Sequence, residues 1–158
     1  MQKILRLILM VGLPRSGKTT RALFLSNALK APIANPDSVR LAIHGQPFVA
    51  TAEPFVWATT KTMVMALFLA GHEDVIVDVC NNTKKRRDEW KYVAKDFEAL
   101  HGIPIEIVFE TVDTPADLCR ERARDNHEHL LPIIDRMESQ HEPVSEEEGP
   151  ARFWTGDK

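Results

Sequence analysis

The sequence predicts an α/β fold in which helices cover both faces of a parallel sheet. Three observations carry that expectation. Short runs rich in Val, Ile and Leu recur along the chain and read as strands buried on both faces. Stretches with helical spacing of apolar residues separate them. Those stretches are long enough for the right-handed crossovers that parallel strands require. No internal repeat or long flexible linker breaks the alternation, so residues 1–158 are expected to form one domain.

Ile4–Val11 is apolar apart from Arg6 and reads as the first, fully buried strand. Thr19–Leu29 follows with Ala22, Leu23, Leu25, Ala28 and Leu29 at helical spacing. Residues 32–35 are a short extended piece, and Asp37 opens a short helix that reaches Ile43. Ala52–Leu69 is the next helix, with Phe55, Thr59, Thr62, Ala66 and Leu69 along one side and Gly71 as its stop. The β-branched run within Val75–Val79 predicts the second strong strand, with Asp78 near its carboxyl end. Lys84–Leu100 places Trp90, Val93, Ala94, Phe97 and Leu100 on one helical face. Ile105–Val112 is the third strong strand, and its Glu106 and Glu110 suggest a place nearer the sheet edge. A helix starts at Pro115, capped by Asp113 or Thr114, and another begins near Pro132 with Ile133, Ile134 and Met137. The tail 142–158 is acidic, then irregular, with Phe153 and Trp154 able to dock on the core.

Composition narrows the function classes. The 158 residues are 44% hydrophobic and 27% charged, as expected of a globular domain with a proper core. The formal net charge of -3 argues against a generally basic, nucleic-acid-binding surface, although a local basic cleft remains open. Cys80 and Cys119 are too far apart for a metal motif and are expected to be buried free thiols, with no structural metal. The N-terminal apolar run contains Arg6, lacks a small-residue cleavage site and leads straight into glycine and lysine. It reads as a strand rather than a signal peptide, which places the expected location in the cytoplasm. No apolar stretch is long enough to span a membrane.

The strongest chemical signal is Gly12-Leu13-Pro14-Arg15-Ser16-Gly17-Lys18-Thr19, a complete GxxxxGK[ST] phosphate-binding loop between a buried strand and a helix. Its glycines let the backbone wrap around phosphate, its amides point at the oxygens, and the helix N-terminus adds partial positive charge. Lys18 is expected to reach the terminal phosphates of a nucleoside triphosphate, and the Thr19 hydroxyl to hold Mg2+. Asp78, at the end of an apolar strand, is the second expected metal-side group; alone, such an aspartate is often a cap or turn former. Asp37 follows the short second strand and would share the loop's carboxyl edge of the sheet. It suits a general base for an acceptor hydroxyl, or else the N-cap of its own helix. Arg40 shares a helical face with Asp37 and could orient it, bind an acceptor phosphate, or form a plain intrahelical ion pair.

These residues carry a resemblance. Gly12–Thr20, then Asn35-Pro36-Asp37-Ser38-Val39-Arg40, then Val75-Ile76-Val77-Asp78 with Asn81-Asn82-Thr83 and Arg86-Arg87 downstream, resemble the small P-loop kinase family that includes the kinase domain of phage polynucleotide kinase. Zeta-toxin-like kinases are more distant relatives. Cys119-Arg120-Glu121-Arg122, residues 132–137 and the closing segment around His141-Glu142-Pro143 and Glu147-Glu148-Gly149 extend the likeness over nearly the whole chain. The resemblance implies a three-layer P-loop NTPase fold with a helical lid at about 117–131, and a kinase that uses ATP and Mg2+. It implies Asp37 as base toward a 5'-hydroxyl, Arg40 as its holder and a contact to the acceptor's phosphate, and Lys18 and Thr19 as triphosphate and metal ligands. Arg122 matches a lid arginine on the donor phosphates, and Asn82, Thr83 and Arg86 border the acceptor cleft.

Two departures stand out. Where polynucleotide kinases carry a second lid arginine four positions beyond the first, this chain has Asn126; either Arg124 substitutes or the lid relies on Arg120 and Arg122. His127 and His129 belong to a charged lid and are too few for a metal site. The one compact basic run, Lys84-Lys85-Arg86-Arg87, could line an acceptor cleft or be a solvated helix start. Three readings of function therefore stand: a kinase of polynucleotide 5'-hydroxyls in DNA or RNA, a kinase of nucleosides or small metabolites, and a slowly hydrolysing nucleotide-binding switch. The sequence leaves the oligomeric state open.

Overall fold

The computed structural model describes residues 3–155. Its centre is one five-stranded parallel sheet in the order β2-β3-β1-β4-β5. The strands are β1 Leu5–Val11, β2 Ile33–Ala34, β3 Asp74–Val77, β4 Ile105–Val112 and β5 Ala151–Trp154. Helices α1 Lys18–Leu29, α2 Pro36–His44, α3 Glu53–Leu69, α4 Lys84–His101, α5 Ala116–Arg124 and α6 Leu131–Gln140 make the crossovers. This is the parallel α/β architecture of a P-loop NTPase.

The period-two geometry of β1 divides the core. Leu5, Leu7, Leu9 and Val11 pack with Val64 and Phe68 of α3 and with Trp90, Val93 and Phe97 of α4. Ile8 and Met10 face the other way, onto Ala22 and Leu25 of α1. A third, smaller apolar group joins Cys119 and Ala123 of α5 to Ile134 of α6, with Leu13 of the phosphate loop against it. No helix is long and apolar enough to cross a membrane among the described residues.

The structure corrects several expectations. Strand β4 lies one strand in from the edge, nearer it than β1, but is not the edge strand itself: β1 lies on one side, in register from Leu5 with Ile105 to Val11 with Thr111, and β5 on the other. The tail expected to be irregular supplies that outer strand, although its last three residues, 156–158, lie outside the described residues. Glu110 is buried there because the Trp154 indole N–H donates to its Oε2 at 2.6 Å, while Arg21 lies 3.6 Å away. Trp154 itself sits under the Arg21 guanidinium at 3.6 Å rather than in the core, and Phe153 is exposed.

The helix faces were partly misread as well. α3 buries Val56, Thr60, Val64 and Phe68, whereas Phe55 and Leu69 are exposed. That helix is apolar nearly all round, so spacing alone identifies no unique stripe. Leu23, Leu29 and Leu100 are exposed too; each lies on the far side of its helix or at its last turn. Asn35, not Asp37, caps α2, its side chain accepting from the Asp37 N–H at 2.8 Å. Pro115 itself occupies the N-cap of α5, and the Thr114 hydroxyl donates instead to the Ser16 carbonyl at 2.6 Å. Cys119 is buried, but Cys80 is only partly so.

Candidate active site

The phosphate loop leaves the carboxyl end of β1 and closes on α1. Gly17 adopts a left-handed conformation (φ 100°) that glycine tolerates without cost, and it brings no capping side chain. The first-turn amides of α1, like those of any helix start, have no intrahelical partner, and here no side chain caps them, which is the arrangement that suits an anion. The Lys18 ammonium folds back and donates to the Leu13 carbonyl at 2.8 Å. Arg15, also at positive φ, stands exposed at the loop crest beside Pro14, and Thr20 is exposed in the first turn of α1.

Gly12 is needed for space. A Cβ there would lie 2.8 Å from both the Ser16 hydroxyl and the Val112 carbonyl. Gly12→Ala is therefore expected to lower stability by about 1–3 kcal/mol through overpacking. Thermal melts check this; an unchanged melting temperature would show that the loop tolerates the added methyl.

The Thr19 hydroxyl donates to Oδ2 of Asp78 at 2.8 Å. Asp78 is the first residue after β3, the strand beside β1, and it is buried. A hydroxyl and a carboxylate meeting at one loop supply the oxygen ligands that a hard divalent cation takes. The turn that follows is clamped to the same place: the Asn81 side-chain amide donates to the Met10 carbonyl at 2.7 Å, and the Gly12 N–H to the Cys80 carbonyl at 3.0 Å.

One strand further out, α2 rises from the carboxyl end of β2. Asp37, in its first turn, has a side chain 77% exposed and one ion pair, Oδ1 to Arg40 Nη1 at 2.6 Å. Arg40 is bound more fully by a residue that sequence reasoning missed. Glu53, the first residue of α3, accepts from Arg40 Nε at 2.9 Å and Nη2 at 2.6 Å. The Glu53 bonds are the main reason the Arg40 guanidinium is held above its ordinary range, with Asp37 contributing less. An arginine at one helix and a glutamate at the start of the next carry no spacing signal that would pair them.

The residues expected to border the acceptor have structural partners. Asn82 donates to the Met137 carbonyl at 2.8 Å and its Oδ1 meets His141, tying the turn after Asp78 to the end of α6. The Thr83 side chain caps α4. Arg86 lies over the Trp57 ring at 4.0 Å and pairs with Glu89 at 3.2 Å. The basic run thus splits: Lys84 pairs with Asp88, Lys85 is exposed, and Arg87 is fully buried.

In the lid region, Arg120 is enclosed by Asp117, Asp135 and Glu138. Hydrogen bonds to Asp135 and Glu138 push its guanidinium further above the ordinary range. Arg122 reaches the phosphate loop, donating to the Arg15 carbonyl at 3.1 Å. Arg124 is exposed at the end of α5. Burial raises the Cys119 thiol, so it acts as a small apolar group.

A parallel sheet, a phosphate loop leaving its central strand and a threonine–aspartate pair beside that loop define a domain of the P-loop NTPase fold. The chain belongs to the family described as AAA domain (AAA_33), which it matches over residues 7–143. No curated protein matches the chain. Among solved structures it is similar to Kti12 of Chaetomium thermophilum in complex with ADP-AlF3, at 19% identity and a TM-score of 0.74, covering 96% of this chain and 89% of that one. It is similar to the APS kinase CysC of Mycobacterium tuberculosis in complex with AMPPNP and APS, at 18% identity and a TM-score of 0.62 over 98% and 90%. A third similarity is to the Pnkp1/Rnl/Hen1 complex, at 22% identity and a TM-score of 0.65, covering 77% of this chain but 40% of that one. At these identities the likeness concerns the fold.

Proposed function

We propose that this domain transfers the γ-phosphate of ATP to an acceptor hydroxyl beside Asp37. The observation that carries the reading is the shared sheet edge. The phosphate loop, the Thr19–Asp78 pair and an exposed, arginine-held Asp37 all follow the carboxyl ends of neighbouring strands. In α/β sheets that edge is where ligands bind. Lys18 and the loop's backbone N–H groups up to Thr19, other than at Pro14, which has none, hold the donor phosphates, and Arg122 adds charge from the lid. Arg120 can join only by leaving its three carboxylates; Arg124 needs no such release. Thr19 and Asp78 fit Mg2+, which when bound neutralises charge on the donor phosphates.

In the step itself, Asp37 accepts the acceptor's hydroxyl proton while that oxygen bonds to the γ-phosphorus. The bond from the γ-phosphorus to the bridging oxygen breaks, and ADP leaves with that oxygen. The first acceptor class is a polynucleotide 5'-hydroxyl, supported by the Asp37 and Arg40 placement, with Asn82, Thr83 and Arg86 along its path. A second class, a nucleoside or small hydroxylated metabolite, is favoured by a separate observation. Arg40, Arg86 and Lys61 are each paired with a carboxylate, which leaves less charge to hold a polyanion. The slowly hydrolysing switch is the reading without an acceptor.

A transfer screen with labelled ATP over 5'-hydroxyl DNA and RNA oligonucleotides, nucleosides and polyols tests all three. Label on oligonucleotides supports the first class, and label on small acceptors alone the second. Release of inorganic phosphate with no labelled acceptor would sink the kinase reading in favour of the switch.

A further inference from the structure

We propose that Glu53 is a positioning residue, holding Arg40 so that one oxygen of Asp37 stays open to the acceptor hydroxyl; this rests on the kinase reading above. The geometry is asymmetric. Both Glu53 oxygens are engaged by Arg40, through Nε at 2.9 Å and Nη2 at 2.6 Å, whereas Asp37 receives a single bond, from Nη1 to Oδ1. Oδ2 of Asp37 has no partner among the described residues, and the side chain is largely exposed. Arg40 and Glu53 are by contrast mostly shielded, at 13% and 20% side-chain exposure.

An arginine prefers to grip a carboxylate with two parallel N–H bonds, a planar match that covers both oxygens. If Arg40 gripped Asp37 in that way, it would occupy a lone pair on both oxygens and leave an incoming hydroxyl only the outward, less basic ones. Glu53 takes the two-bond grip instead. It also returns a negative charge to the cluster, so that Asp37, Arg40 and Glu53 together carry one net negative charge. The result is a carboxylate that is oriented but not covered, which general base catalysis needs.

The plain alternative is that Glu53 only staples α3 to α2. A staple would affect folding and lower every rate by a similar factor. A positioning residue acts through Asp37 and does nothing once Asp37 is gone.

The experiment uses the full chain and labelled ATP, with a 5'-hydroxyl oligonucleotide and adenosine as acceptor probes, in wild type, Glu53→Gln, Asp37→Asn and the double variant. Glu53→Gln is expected to lower kcat on the order of 10–100-fold, as small misplacements of a reacting group do, with ADP affinity and the KM for ATP unchanged. In the Asp37→Asn background the same change is expected to cost nothing further. Equal proportional losses in both backgrounds, or an unaltered kcat, would overturn the role of Glu53 while leaving the kinase reading intact. A wild type that labels neither probe nor any acceptor in the wider screen overturns that reading, and this role with it. Should Glu53→Gln not fold, Glu53→Asp carries the same comparison, since it keeps the charge but shortens its reach.

Discussion

Replacing Asp37 with Asn is expected to lower phosphate transfer by about 10²–10⁴-fold, the usual contribution of a positioned general base, with nucleotide binding retained. The amide keeps the size and one acceptor oxygen of the carboxylate but cannot take the proton from the acceptor. Folding should tolerate the change, because the side chain is 77% exposed and Asn35 rather than Asp37 caps the helix. Arg40 keeps its two bonds to Glu53, so the corner between α2 and α3 stays in place. The donor half of the site, one strand away around Lys18, Thr19 and Asp78, is not touched. The check is a pair of measurements: transfer rate to the acceptor found in the screen, and ADP affinity by calorimetry. An unaltered transfer rate removes Asp37 as base. Lost nucleotide binding would mean that the variant perturbs the donor half instead.

The second large effect concerns folding. Arg87 is fully buried, and its guanidinium donates from Nε to Glu148 Oε1 at 2.8 Å and from Nη2 to Oε2 at 3.2 Å. It also bonds the Asn81 carbonyl at 3.0 Å, in the turn beside Asp78, and the Pro143 carbonyl at 3.4 Å. Removing one partner leaves a buried charge without compensation, at a cost of about 3–5 kcal/mol. Arg87→Met and Glu148→Gln are each expected to lose stability on that scale in urea unfolding. Replacing both residues with apolar ones should recover much of the loss, since buried pairs are often no better than a well-packed apolar pair. Additive losses in the double variant would contradict this account.

The same pair implies a pH dependence. Burial opposes the Glu148 charge, but Arg87 and the Ser145 N–H outweigh it, so the carboxyl lies below its ordinary range in the folded protein. Its contribution is therefore complete above the unfolded-state value of about 4.3 and is lost as pH falls through the lower folded value. The stability gap between wild type and Glu148→Gln should narrow below about pH 4. A gap that stays constant to pH 3 would mean that Glu148 is not held in its charged form by Arg87.

How much was legible depended on whether the information was local. The phosphate loop could be read because strand, glycines, lysine and threonine are contiguous, and strand β1 because its apolar run is unbroken. Trp90, Val93, Ala94 and Phe97 declared the buried face of α4 because polar residues fill the opposite side. The face of α3 could not be read in that way, since apolar residues surround it. Strand β5 was missed because Ala151–Trp154 is short, and β4 completes its pairing only through the crossover of α5 and α6. Glu53 was missed because its partner lies on another helix.

The sequence by itself determined an alternating parallel α/β domain with a phosphate-loop motif, because strand burial, helix spacing and the loop motif are each written within a dozen or so neighbouring residues. Only the tertiary structure decided which charges are available to a ligand. Arg87 became a buried clasp, Arg120 a lid tie and Arg40 a shared arginine through carboxylates between 13 and 61 positions away in the chain. Pairing across such separations follows from the packing of whole helices and strands, and no local pattern encodes it.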